Sequence, residues 1–345
     1  MYTGSDAEQL AGRDKDDPTC FHDDVDAAQV PKVARLVAIE LATGEGLKGV
    51  VQHEGKDGCT KVFLMPGGFA LGDYDQSKKL QSTKAKHVLD LARFRYALRD
   101  QIEFILIGYP DWREMIASKV NFGAIIASAF EQIQRERYDG PIYIAGHSFG
   151  GLVAFATAYR LVEAGRQVAF VGMFDSRLPF TKNSKNINGK KKWLRNPDSY
   201  KDVLLRLILR NLLRIRAFLS LELFAKFCIS IGMRHIGPLL LFVLREYAVR
   251  AWKPNALSVP TFFFRTEDDD MLHQAYDCGW NALCSRLTVV PIGGEHDSIL
   301  APAHLNHLCA RFLEAVRTAE GNCGLHVAGD PGELECGRLR SQSAV

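Results

Sequence analysis

No stretch of this sequence is apolar for long enough to span a bilayer, because arginines recur about every turn through its most hydrophobic region. A transmembrane helix is therefore not expected. The first residues lack the basic start and apolar run of a secretory signal. The eight cysteines (Cys20, Cys59, Cys228, Cys278, Cys284, Cys309, Cys323 and Cys336) never fall in C-x-x-C spacing. In a chain of 345 residues that pattern predicts reduced thiols rather than a disulfide framework or a zinc site, and a cytoplasmic location. Walker A and H-E-x-x-H sequences are missing too, and the spacing from Asp268 to His273 does not resemble a closed metal site. Gly44, Gly46 and Gly49 do match the dinucleotide fingerprint, but Val50 and Val51 follow in a strand-like pattern where a helix is required. A tight hairpin turn is the expectation there. A net charge of +3 is too small to imply a nucleic-acid partner.

What is present is the balance of a folded α/β protein, with 47% hydrophobic and 24% charged residues. Residues 1–30 and 321–345 are rich in polar residues and glycine and read as a flexible leader and tail. Between them, short apolar runs at 61–65, 103–108, 142–145, 168–174, 260–264 and 287–292 read as buried strands. Helical patterns at 77–99, 114–136, 149–164, 272–283 and 303–318 separate most of them. Alternation of this kind predicts a mainly parallel sheet with helices on both faces. Segments 33–41 and 47–53 add a candidate edge hairpin. One interruption breaks the rhythm: 181–250 is helical, apolar and basic, and reads as an inserted lid dividing a core of 31–180 and 251–320.

The strongest local signal is Gly146-His147-Ser148-Phe149-Gly150, a match to G-x-S-x-G that follows a predicted strand and opens a predicted helix. The turn this context requires is so tight that a side chain at 146 or 150 would clash, and glycine removes the clash. Ser148 is then a candidate nucleophile raised above the sheet, with a helix N-terminus favouring negative charge beside it.

A serine hydroxyl needs a base, and the base needs an orienting acid. His296 follows the last strand on a Gly293-Gly294 turn and is the preferred base. His304 and His307 lie in a helical pattern, His147 is expected to aim away from Ser148, and His235 and His273 have no such placement. For the acid, Asp175 closes a buried apolar strand, whereas Asp268, Asp269 and Asp270 read more simply as a solvated loop. Asp175 is preferred, with Asp268 as its rival. Oxyanion donors are expected at the backbone N–H of Phe149 and of Phe69 or Gly68, in the loop Pro66-Gly67-Gly68-Phe69. Pro66 has no N–H and cannot donate.

From Lys61 to Arg317 these segments resemble the thioesterase domain of nonribosomal peptide and polyketide synthases, an α/β-hydrolase family. The likeness rests on MPGGFA, GHSFGGLVAFATAYRLVEAG, VAFVGMFDSRLP, Cys278-Gly279-Trp280 and GGEHDSIL, and is weak within 181–250. Met65-Pro66 stands where members usually begin the oxyanion loop with His-Pro. In that family the acid often follows the strand after the elbow helix, and in the stand-alone editing enzymes it lies one strand later, near Asp268. The resemblance implies an acyl, peptidyl or polyketide group delivered as a thioester on the phosphopantetheine arm of a carrier protein. It also implies an acyl-Ser148 intermediate, release by hydrolysis or cyclisation, and no cofactor or metal. Carrier proteins are commonly acidic, and Arg206, Arg210, Arg214 and Arg216 either attract one or form a solvated helix face. Two alternatives stand beside this. One is a carboxylesterase or lipase whose basic lid lies on a membrane; the other is a non-catalytic acyl-binding module.

Overall fold

The computed structural model describes residues 59–67, 83–178, 207–231, 236–267 and 276–327. The expected leader, the 33–53 hairpin, Gly68, Phe69, Arg206, His235, Asp268 to Asp270 and His273 lie outside the described residues.

Six strands form one sheet: β1 (Thr60–Met65), β2 (Ile102–Leu106), β3 (Ile142–His147), β4 (Val168–Phe174), β5 (Thr261–Thr266) and β6 (Leu287–Ile292). Their order is β2-β1-β3-β4-β5-β6, and every pairing is parallel. The apolar runs are continuous because both faces are covered. Along β1, Phe63 and Met65 face one core while Val62 and Leu64 face the other, as the two-residue period of a strand requires.

On the first face lie α2 (Trp112–Ala117), α3 (Phe122–Arg135) and α4 (Phe149–Glu163). The second face is closed by α1 (Thr83–Ala97) and α8 (Pro302–Val327) around an aromatic cluster. There Phe312 of α8 meets Phe94, Phe174 and Phe264 with ring centroids 5.4, 5.5 and 5.8 Å away. Rings at these separations add edge and tilt attractions to their burial.

Between β4 and β5 the described helices are α5 over 207–214, α6 (Phe218–Ser230) and α7 (Ile236–Arg250). They bury Leu213, Leu221, Ala225, Leu240 and Leu244 into the first core. Arg210 of α5 and Arg250 both pair with Glu246 of α7 at 2.6 Å. Their outer side is unlike an ordinary surface. Of the ten large hydrophobic side chains exposed among the described residues, eight lie between Leu207 and Ile231. No helix among the described residues is long and apolar enough to cross a membrane.

Three sequence expectations need correction. The single helix expected at 114–136 is two helices. Asp111 caps α2 through a reciprocal box with Glu114, Lys119 and Val120 take positive φ, and Asn121 caps α3 by accepting from the N–H of Gly123. The pattern at 272–283 does not end as an α-helix. Cys278 and Gly279 are left-handed, and only a 3₁₀ turn, Trp280–Ala282, follows. Residues 321–327, expected to belong to the tail, are instead the end of α8, which runs to Val327 through Gly321 and Gly324, and 328–345 lie outside the described residues. Glycine weakens a helix by about 1 kcal/mol but does not end one that is already packed.

Candidate active site

The chain passes from β1 to β2 on one side and then returns across β1 to β3, so the strand order reverses between β1 and β3. In open parallel sheets a crevice forms at that point, beyond the carboxyl ends of the strands. Among the described residues, the candidate side chains sit there. Pro66 and Gly67 follow β1, Ser148 follows β3, Asp175 follows β4, Thr266 ends β5, and His296 lies just past β6.

Ser148 adopts φ 54° and ψ −117°, and its N–H donates to the carbonyl of Phe174 at 2.8 Å, tying the turn to β4. Positive φ in a non-glycine residue is strained and must be held by its surroundings. The flanking glycines show how little room there is. A Cβ on Gly146 would lie 2.2 Å from the carbonyl oxygen of Gly150. One on Gly150 would lie 2.2 Å from the oxygen of Met65 and 2.4 Å from that of Pro66. These are backbone atoms that no rotamer change can move. Gly150→Ala is therefore expected to destabilise the fold by about 3 kcal/mol or more, or to prevent folding. A denaturant midpoint checks this.

Asp175 is fully buried, also at positive φ (43°), and its N–H donates to the carbonyl of Phe264 at 2.8 Å. The loop that carries it is held by Trp280, whose Nε1–H donates to the carbonyl of Ser176 at 2.7 Å. Its carboxylate accepts from Thr266 Oγ1 at 3.1 Å through Oδ1 and meets His296 Nδ1 at 2.5 Å through Oδ2. Arg177 Nη2 stands 3.6 Å from the same Oδ2. Burial alone would raise the carboxyl pKa. The hydrogen bond and charge of His296, the Arg177 guanidinium and the Thr266 hydroxyl together outweigh it, and the pKa lies below the ordinary value.

An ionised carboxylate only accepts, so His296 Nδ1 carries the proton and Nε2 keeps its lone pair. That lone pair faces Ser148 Oγ at 2.9 Å. The hydroxyl can hand its proton to the imidazole, and the buried carboxylate stabilises the cation that results. His147 sits beside this chain rather than in it. Its ring stacks on that of His296 at 5.4 Å, with 26° between planes.

The structure thus brings Ser148, His296 and Asp175 together and leaves His304 and His307 on α8. Of the expected oxyanion donors, Phe149 is the first residue of α4, where a backbone N–H has no intrahelical acceptor. Phe69 and Gly68 lie outside the described residues. Thr266 was not anticipated, nor was Tyr109, whose hydroxyl donates to the carbonyl of Pro66 at 2.8 Å. Thr266 had one sequence signal, its place at the carboxyl end of a buried strand. Among the described residues no group of His, Cys, Asp or Glu is arranged to hold a metal.

A family model described as Thioesterase domain matches residues 90–222. Norsolorinic acid synthase of Dothistroma septosporum is 25% identical over 131 residues, covering 38% of this chain and 5% of that protein. Enterobactin synthase component F of Escherichia coli (strain K12) is 35% identical over 94 residues, covering 27% of this chain and 7% of that protein. The chain thus spans only a small fraction of the curated relatives it matches. Among solved structures, the NocB thioesterase domain bound covalently to a fluorophosphonate nocardicin G analog is 17% identical at a TM-score of 0.48, covering 79% of this chain and all of that one. The surfactin thioesterase domain SrfTE is 16% identical at a TM-score of 0.48, covering 78% and 96%. Residues 90–222, with the elbow among them and the parallel sheet around it, are thus similar to a thioesterase domain.

Proposed function

We propose that this domain releases an acyl, peptidyl or polyketide group from a phosphopantetheine thioester on a carrier protein, through an acyl-Ser148 intermediate. The observation that carries the reading is the hydrogen-bonded chain from Ser148 Oγ through His296 to Asp175. Ser148 Oγ attacks the thioester carbonyl while its proton passes to His296 Nε2. The C–O bond forms, and the negative charge on the carbonyl oxygen is met by the N–H of Phe149 and of Phe69 or Gly68. As the tetrahedral adduct collapses the C–S bond breaks, and His296 returns the proton to the departing pantetheine thiol. Water, or a hydroxyl or amine within the acyl chain, then attacks the ester. His296 takes its proton and passes it to Ser148 Oγ as the C–O bond breaks. The product is a free acid in the first case and a cyclised ester or amide in the second. Asp175 fixes the tautomer throughout, in preference to Asp268.

In this reading residues 31–180 and 251–320 form the core, and 181–250 form a lid over the acyl site. An acidic carrier approaches the arginines of the lid, of which Arg214 and Arg216 are exposed.

One observation favours a second reading, hydrolysis of oxygen esters at a lipid surface. The outer side of α5 and α6 exposes Ile215, Leu219, Leu223, Phe227 and Ile231, all more than half accessible. Apolar residues beside arginines and a lysine are what an interfacial helix presents. Rates on matched N-acetylcysteamine thioesters and oxygen esters of short, medium and long acyl chains separate the two. Thioester turnover well above ester turnover is expected. Turnover of the oxygen esters alone, raised by vesicles of anionic lipid, would establish the second reading.

A further inference from the structure

We infer that Tyr109 is a positioning residue for the oxyanion loop, held in place by Arg245 from the inserted helices. This rests on the acyl-Ser148 chemistry proposed above and adds a coupling between helix α7 and the oxyanion side of the site.

The geometry starts at Pro66. A prolyl residue has no N–H to anchor it, so the loop start must be held through its carbonyl. That carbonyl accepts from Tyr109 Oη at 2.8 Å, across 43 residues of sequence. It also lies against the elbow, because the missing Cβ of Gly150 would come within 2.4 Å of the same oxygen. Tyr109 therefore fixes Pro66 where β1 meets the nucleophile turn, immediately before the residues expected to supply the second oxyanion donor. Burial holds the proton on the phenol, pushing its pKa up, with Arg245 drawing it the other way. The hydroxyl stays a donor at every working pH.

The ring of Tyr109 is itself clamped. It meets Phe149 edge to face at 5.7 Å, and Phe149 is the residue whose N–H is the first expected donor. Above both rings lies the buried guanidinium of Arg245, 5.0 Å from the Tyr109 centroid and 5.8 Å from that of Phe149. Desolvated cation–π contacts of this kind are among the stronger ones. Arg245 belongs to α7, so the arginine links the inserted helices to Phe149 and, through Tyr109, to Pro66 at the start of the oxyanion loop. A displacement of α7 would reach Phe149 and Pro66 through this stack.

The experiment is the rate at which a small fluorophosphonate phosphonylates Ser148, with kcat and KM on a thioester alongside. Its phosphoryl oxygen occupies the oxyanion position, and the probe is too small to need the lid. Tyr109→Phe keeps the ring and removes only the hydroxyl. We expect labelling and kcat to fall about 10- to 100-fold, the range of a modest misplacement of oxyanion donors, with KM and the thermal midpoint nearly unchanged. Arg245→Met should fall similarly, and Arg245→Lys, which keeps the cation, should recover part of the rate. Wild-type labelling rates in Tyr109→Phe would overturn the inference while leaving Ser148 as nucleophile. So would loss of rate only in step with loss of thermal stability. Absence of labelling in the wild type would instead defeat the proposed function itself.

Discussion

Ser148→Ala is expected to lower turnover by about 10⁶-fold, the scale on which removal of a serine nucleophile acts in this type of site. The substitution is well isolated. Alanine keeps the Cβ that the strained turn already accommodates at φ 54°, so no new backbone cost arises. The serine side chain makes no capping bond to α4, so no helix stability is lost with it. What disappears is the hydroxyl 2.9 Å from His296 Nε2. The variant should fold with an unchanged thermal midpoint, should not react with a fluorophosphonate, and should still bind the thioester. Steady-state rates and labelling of purified wild type and variant check this together.

Asp175→Asn is expected to lower kcat by about 10⁴-fold. The amide is nearly the same size, so the buried site stays filled. Its hydrogen bonding, however, becomes ambiguous. An NH₂ turned toward His296 Nδ1 selects the opposite tautomer, placing the proton on Nε2, where it faces the Ser148 hydroxyl and can no longer accept. The same change has a signature in stability. The carboxyl pKa lies below its unfolded value, so the folded state gains from ionised Asp175 above that unfolded value. The gain is lost as pH falls through the folded-state pKa. Thermal midpoints of the wild type measured from neutral to strongly acid pH should show that loss, and those of the Asn variant should lack its contribution. Asp268→Asn, made in parallel, should retain most activity. The reverse pattern would move the acid to the loop after β5.

Much of the core was legible because its physics is local. Strands buried on both faces read as unbroken apolar runs, and the elbow declares itself through two glycines at fixed spacing around a serine. Ser148, Asp175 and His296 each follow a strand, and parallel strands of one sheet bring their carboxyl ends to one edge. What stayed hidden depends on register and on backbone conformations that sequence conceals. Val120, a buried β-branched residue in the left-handed region, breaks a helix that its apolar spacing would continue. Thr266 reaches Asp175 only because β5 pairs with β4, and Tyr109 reaches Pro66 only because β2 pairs with β1. Arg245 looked like one more charge on a basic amphipathic helix. Its burial against two aromatic rings is a tertiary fact.

The most direct measurement is the intact mass of the protein quenched during turnover of a thioester, followed by peptide mapping. The account predicts a gain equal to the acyl group, confined to the peptide containing Ser148 and absent from the Ser148→Ala variant. Steady release of acid with the acyl mass on another residue would contradict it.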